Sequence, residues 1–483
     1  MKKWITLLAI LLALEAVSIA LYLGKTGEFG FPLDDAWTHQ VYARNLGLHG
    51  EMAFSPGVPS TGSTSFLWAL ILALGYFLKA PFFLWTYLWG GIFAVATAML
   101  AAVLSHTYFG SFKNSTIVAV LCILEWHLAW AAVSGMEIGL FTCLTLLFFL
   151  LLTQDRSPFL LGCITGIIVL ARPEGMLLAA VYGYHILSTH RREIRRIFSN
   201  GGMFALAFLI VISPWVAFNI GVSNSPFPNT VAAKFMQYSY PWSLWKSLRY
   251  IWDVTSYFLN GPLMLLFPSA GFAIYRTIQI KKTFPFQPLG WSIALIGLYT
   301  VALPSIYDHG RYLMPLIPLI VVFGVQGLGP LLERLIQKSM LRSTVWALLF
   351  GMVSLLWVNG ASDFSFRVNL FRKVHMQAAE WINDHTPRDT VIATHDIGIL
   401  GYFAERQVVD LAGLITPEMV PLLRQPQKMA DYLQAKNVRY VIVYTGYYRD
   451  VLALLNAHRV YSPNAKELRD MGSEPFEIHE VGP

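Results

Sequence analysis

The chain has 483 residues, 55% of them hydrophobic and only 13% charged, with a mean hydropathy of +0.53. Those figures exclude a soluble domain and a disordered chain alike. The formal charge of +7 does not signal nucleic acid, because Lys and Arg gather in short stretches between apolar runs, as orientation signals of membrane proteins do.

In chain order, apolar runs suited to a hydrocarbon core of about 30 Å recur from Trp4 to Asn359. They predict a polytopic α-helical membrane protein with eleven spans, at approximately 4–23, 82–108, 115–133, 138–153, 158–171, 175–188, 201–219, 261–278, 289–304, 312–330 and 343–359. With Lys2 and Lys3 inside, the inner loops hold Lys113, Arg156, the cluster Arg191, Arg192, Arg195 and Arg196, then Arg276 with Lys281 and Lys282, then Arg334, Lys338 and Arg342. Every inner loop obeys the positive-inside rule. The expectation is a cell-membrane protein with a cytoplasmic N-terminus and a C-terminal part on the periplasmic or extracellular side. A cleaved signal peptide would also begin with Lys2-Lys3 and end near Ser18 to Ala20, but this apolar run outlasts the usual signal core. The stretch 63–79 is apolar enough to span, yet counting it would invert every later loop. Phe66, Trp68, Tyr76 and Phe77 suit an interfacial helix at the outer surface. Cys122, Cys143 and Cys163 all fall inside apolar runs and make neither a disulfide framework nor a zinc knuckle.

The charge-based topology sorts the polar residues. Asp34 and Asp35, Glu137, Arg172 and Glu174, Lys234, and Asp308, His309 and Arg311 come from five loops, and all fall on the outer side. Ionisable groups at membrane depth are costly and mark function. Each also has a plainer role. Asp34 suits the cap of a helix starting at Ala36, although capping needs only one aspartate of the pair. Glu137 suits a helix start. Arg172 and Glu174 flank Pro173 between two apolar runs of about 14 residues, too short to cross, so their turn lies below the outer surface. There they either close the turn as a pair or contact substrate. A guanidinium at Arg311 is suited to phosphate oxygens. Glu15, and Glu125 with His127, sit within spans and could pair, line a groove or carry protons.

From Asp34 through Leu46, then His49-Gly50, Phe54 to Gly57 and Gly62 to Trp68, the sequence resembles the first outer loop of GT-C superfamily glycosyltransferases. It is most similar to the bacterial arabinofuranosyltransferase-like branch, related to protein O-mannosyltransferases and the aminoarabinose transferase. The stretches Ser134 to Gly139, Ala171 to Gly175, Pro228 to Lys234 and Arg311 to Pro318 recur in the same order there, so the resemblance covers most of the chain. It implies a polyprenyl-phosphate sugar donor, inversion at the anomeric carbon, an outer-loop Asp as base, and a glycan, lipid or protein acceptor. Asp34 would be the base and Asp35 would orient the acceptor. Glu137, Arg172, Glu174, Asn229, Lys234, His309, Arg311 and Tyr312 would bind substrate, with Arg311 and Lys234 holding the phosphate. No cofactor is required. A divalent ion (Mg or Mn) bridging Asp35 or Glu137 to the phosphate is compatible with this chemistry without being forced by it. An activated phosphate leaving group needs no nucleotide cradle, and the sequence carries neither a Walker motif nor a Rossmann fingerprint. Rival readings are a flippase or transporter of lipid-linked saccharides and a ligase using a diphosphate lipid; against transport, the sequence has no inverted repeat.

Two domains are expected: 1–360, membrane and catalytic, with the first outer loop 24–81; and 361–483, an outward-facing α/β domain. In the second, Met376 to His385 has helical spacing, 390–395 and 438–445 read as buried strands, and 407–410 as a shorter one. His395 and Asp396 lie close together without a nucleophile beside them. The stretch Asp396 to Gly401 resembles a turn and helix start of that branch's outer domain, where it packs or guides the acceptor.

Overall fold

The computed structural model describes residues 1–238, 243–279, 286–463, 468 and 474–482. Lys281 and Lys282, read as an inner-loop signal, lie outside the described residues.

The first helices are α1 (Lys2–Thr26), α2 (Asp34–His49), α3 (Phe66–Phe77), α4 (Phe82–Phe109), α5 (Phe112–Leu124), α6 (Trp126–Val133), α7 (Ile138–Thr153), α8 (Pro158–Ala171), α9 (Leu177–Thr189) and α10 (Ile194–Ser223). A small hairpin, β1 (Ala53–Ser55) and β2 (Val58–Pro59), lies between α2 and α3. Then follow α11 (Asn229–Tyr238), α12 (Leu244–Phe258), α13 (Leu263–Gln279), α14 (Phe286–Ala302), α15 (Ile317–Leu335) and α16 (Ser339–Phe371). Among the described residues, five helices are individually long and apolar enough to cross a membrane, or up to seven spans if the bent pairs α5–α6 and α12–α13 each count as one. Each of the eleven predicted ranges overlaps a helix, but 115–133 is broken at Glu125 and 312–330 begins in turns ahead of α15. The 12 residues of α3 reach about 18 Å at 1.5 Å per residue, short of the hydrocarbon thickness.

Local chemistry sets the ends. Gly27, Gly50 and Gly110 take the left-handed conformation that closes α1, α2 and α4. Ser65, Ser111 and Ser157 cap α3, α5 and α8 through their hydroxyls. Glu125, which the sequence left without a role, caps α6 by accepting the amides of His127 and Leu128 and also bonds the His127 ring at 2.7 Å. It therefore sits at a 54° break rather than in the middle of a straight span.

The helix ends sort into two groups. Thr107 to Gly110, Asn114, Thr153, Asp155, His185, Arg276, Gln287 and Gln326 surround one cavity of about 1050 Å³. At the other end lie α2, the α6–α7 and α8–α9 turns, α11 and the segment before α15, where the candidate residues gather.

The expected boundary at 361 falls inside α16, which runs to Phe371 and continues through a π turn into α17 (Gln377–His385). Beyond it are β3 (Val391–Thr394), α18 (Ile397–Phe403), β4 (Gln407–Asp410), α19 (Pro426–Ala435), β5 (Val438–Tyr444), α20 (Arg449–Leu454), β6 (His458–Tyr461) and β7 (Phe476–Glu480). The sheet order is β4-β3-β5-β7-β6, with β4, β3 and β5 parallel and β7 antiparallel to β5 and β6. This α/β unit packs directly on the first outer loop: Val41 and Tyr42 of α2 share one core with Ala378, Ile382, Ile397 and Leu400. Trp37 meets Tyr402 at a tilt and Phe403 edge-on, and Arg44 donates to the Tyr402 carbonyl.

Candidate active site

The extended residue Leu33 precedes α2, whose first turn is Asp34 and Asp35. Their neighbouring positions send the two carboxylates in different directions. Asp34 accepts the amides of Gly398 (2.6 Å) and Ile399 (2.9 Å) in the first turn of α18. Gly398 has no side chain to obstruct this approach; a Cβ there would collide with the Asp34 carbonyl. Asp35 instead accepts from Nη2 of Arg311 at 2.6 Å. Arg311 is presented by a turn in which Asp308, His309 and Gly310 all have left-handed φ, and its guanidinium lies over Tyr307 and Tyr312.

Burial pushes Asp34 upward, the nearby Asp396 charge adds to this, and the two amides reverse only part of it. For Asp35, burial is outweighed by the charges of Arg311 and Lys234 and the Arg311 hydrogen bond, so its carboxyl lies below the usual range.

A cavity of about 380 Å³ opens beside these residues. Its polar wall is Asp35, His39, Glu137, Arg172, Lys234 and Arg311, and its apolar wall includes Met176, Phe227, Phe235 and Leu298. Those four are 37–57% exposed, so the cavity communicates with the outside of the helix bundle. Lys234 donates to the Tyr312 hydroxyl at 3.3 Å. Behind it runs a buried chain: His39 meets Glu137 at 3.1 Å, Arg172 donates to Glu137 at 2.5 Å and to Glu174 at 3.0 Å, and Tyr299 bonds Glu174. Arg172 thus closes its turn and also faces the cavity. Arg311 is 2% exposed, yet its Nε and Nη1 make no hydrogen bond, Nη1 standing 4.0 Å from an Asp308 carboxylate oxygen. A buried guanidinium with unsatisfied donors beside a cavity is matched to an anion.

A second cavity of about 170 Å³ adjoins the first under the C-terminal domain. Asp35, Lys234, Arg311 and Tyr312 line both, whereas Asp34, His395 and Asp396 line only the smaller one.

Two expected substrate residues sit elsewhere. Asn229 spends its amide on the carbonyls of Gly413 (2.5 Å) and Leu414 (3.2 Å), fastening α11 to the C-terminal domain. His309 bonds Asp363 of α16 at 2.8 Å and packs near Trp126 and Trp130, away from both cavities. Asp35 and Glu137, either of which could bridge a divalent ion to a phosphate, each have a cationic partner in this structure, and among the described residues no three His, Cys, Asp or Glu side chains cluster. His39 and Tyr299 were missed. His39 stands four residues after Asp35, one helical turn along the same face, and that spacing was the available signal; nothing in the sequence singles out Tyr299.

A family model described as a domain of unknown function, DUF8728, matches residues 367–476. No curated protein matches the chain. Among solved structures, ArnT from Cupriavidus metallidurans bound to undecaprenyl phosphate superposes with a TM-score of 0.63 at 11% identity, covering 100% of both chains. The Archaeoglobus fulgidus oligosaccharyltransferase in its apo form gives 0.62 at 12% identity, covering 93% of this chain and 71% of that one. The same archaeal protein, AglB, in complex with an inhibitory peptide and a dolichol-phosphate gives 0.61. The chain shares the fold of these solved proteins.

Proposed function

We propose that the protein is an inverting membrane glycosyltransferase that moves a sugar from a polyprenyl-phosphate donor to a cell-envelope acceptor on the outer face of the membrane, in the arabinofuranosyltransferase-like branch. The observation that carries the reading is Arg311: a buried guanidinium whose Nε and Nη1 make no hydrogen bond, next to Lys234, at the polar end of a cavity whose other wall is apolar and open at the side. That is the shape of a site for a phosphate carrying a long apolar chain. Two proteins of this fold have been solved with such lipids, ArnT with undecaprenyl phosphate and AglB with a dolichol-phosphate. The branch placement rests on the five motifs in order.

In this reading Arg311 and Lys234 grip the phosphate, and their interaction strengthens as the glycosidic bond breaks and charge grows on the departing oxygen. Asp35 keeps Arg311 oriented. Asp34, in the smaller cavity and with its proton affinity raised, takes the proton of the acceptor hydroxyl, a job for which a carboxylate of raised proton affinity is better matched than an ordinary one. The amides of Gly398 and Ile399 orient it.

The test is purified protein in detergent with a radiolabelled polyprenyl-phosphate sugar and acceptor-bearing envelope material. Free polyprenyl phosphate should appear together with labelled envelope product, and sugar nucleotides should give neither. Movement of the lipid across a vesicle bilayer without donor consumption would replace this reading with a flippase.

A further inference from the structure

Arg311 reaches the cavities from a turn that the outer part of α16 holds in place. Asp308, His309 and Gly310 take φ of +36°, +55° and +67° in succession, and a backbone with side chains stays in that region only where its surroundings fix it. Gly310 backs onto Tyr257 of α12, so closely that a Cβ would lie 2.7 Å from the ring. The His309 ring stands edge-on to Trp126 and Trp130 of α6 and bonds Asp363 of α16 at 2.8 Å. One helical turn beyond Asp363, Arg367 donates to it at 3.1 Å and extends to Asp308 at 3.5 Å. Asp308, Asp363 and Arg367 line neither cavity, so any effect they have on a lipid phosphate runs through Arg311.

Asp308 stands between two guanidinium groups. Its Oδ1 faces Arg367, and its Oδ2 lies 4.0 Å from Nη1 of Arg311. That nitrogen and Nε are the two buried donors of Arg311 that make no hydrogen bond, and the carboxylate needs to advance only about 1 Å to reach bonding distance. Buried, unsatisfied and charged donors draw a carboxylate strongly. A bond there would cover the nitrogens that a phosphate needs. Arg367 pulls Asp308 the other way and is itself anchored by Asp363, so that Asp35, Arg311, Asp308, Arg367 and Asp363 form a row of alternating sign. The side chains of Asp363 and Arg367 are half-buried at the outer end of α16, and a pair so placed adds little to stability. Removing Arg367 therefore probes the turn without removing part of the core.

We propose that Arg367 is a positioning residue that holds Asp308 back from Arg311 and so keeps Nε and Nη1 open to the phosphate of the lipid donor. The proposal rests on the reading of Arg311 as the phosphate ligand. Without Arg367, Asp308 closes onto Arg311 and the donor has to displace it. Apparent affinity falls in proportion to the fraction of protein left open, so an Arg311 covered about nine-tenths of the time weakens the donor about tenfold. Once bound, the phosphate has the contacts it had before, and turnover at saturating donor is retained.

Binding of undecaprenyl phosphate to the purified full-length protein in detergent tests this without turnover. Arg367→Ala is expected to weaken binding about tenfold or more. Asp308→Asn keeps the side-chain shape, tolerates the left-handed backbone and loses the charge, so binding should stay within about threefold of the wild type. The double variant, Arg367→Ala with Asp308→Asn, should return to that same range because the competing carboxylate is gone. A merely structural role for Arg367 predicts no such rescue. Arg367→Gln retains most of the side chain's packing, should behave as Arg367→Ala does, and serves if the alanine variant folds poorly. In turnover with a radiolabelled polyprenyl-phosphate sugar and envelope acceptor, the Arg367 variants should raise the half-saturating donor concentration and leave kcat nearly unchanged. Unchanged binding in the Arg367 variants, or a loss that Asp308→Asn does not rescue, refutes this inference while the transferase reading stands on its own turnover. The expected binding pattern in a protein that consumes no donor overturns the transferase reading and leaves Arg367 in its role. No binding of undecaprenyl phosphate by the wild type refutes the phosphate reading of Arg311 and this inference with it.

Discussion

Asp34 and Asp35 are adjacent in sequence and opposite in electrostatic company: one lies against backbone amides and Asp396, the other against Arg311 and Lys234. Asp34→Asn keeps the shape but cannot take a proton, and it is expected to cut turnover by about 10²- to 10⁴-fold while donor binding persists. Wild-type turnover in that variant would reduce Asp34 to a latch. Because Asp34 must be ionised to act and burial and Asp396 raise it, the acid limb of kcat/KM should lie above pH ~4, the ordinary value for Asp. A limb below that value would mean that another group is the base. Arg311→Ala should lower kcat by about two orders of magnitude, and lower it more than it weakens the donor, since the phosphate gains charge only as the bond breaks; equal losses in both would assign Arg311 to ground-state binding. The acidic pair and Arg311 were legible because charge in an apolar chain is conspicuous. The division of labour was not, since it depends on Gly398 and Ile399, some 360 residues away, and Asn229 and His309 looked like ligand contacts while serving as ties between segments.

At the scale of elements, hydropathy marked where helices lie better than where they break. Glu125 looked like a stray charge in a span because the α5–α6 bend has no Pro or Gly to announce it. The helical pairs pack through small residues: a Cβ at Gly90 would strike the Ala132 carbonyl, and one at Gly327 the Ser269 carbonyl. Gly90→Ala and Gly327→Ala should therefore each destabilise the fold by about 1–3 kcal/mol, the usual cost of overpacking, measured as a lower unfolding midpoint in detergent. Unchanged midpoints would mean that these helices sit farther apart than described. In the C-terminal domain, β3, β4 and β5 were readable as apolar runs. The strands β6 and β7 alternate with charged and polar residues such as Arg459, Glu477 and His479, which pair among themselves, and that hid them.

Across the whole molecule, the candidate residues converge because the segments that carry them return to the same end of the bundle, and the C-terminal domain is seated on that end through a core shared with α2. The charge pattern predicts which end faces out. Cysteines placed at Asn224 and Lys428, in a background free of Cys122, Cys143 and Cys163, should be labelled from outside intact cells, and one at Glu193 should be spared; the reverse pattern would overturn the orientation. The central claim is that the two adjoining cavities bring a lipid phosphate and an acceptor hydroxyl together. The most direct measurement is the release of free polyprenyl phosphate from a polyprenyl-phosphate sugar by purified protein in detergent, with no second compartment. The account predicts release that depends on added envelope acceptor and is lost in Asp34→Asn and Arg311→Ala. Donor left intact by the wild type in the presence of acceptor would contradict it.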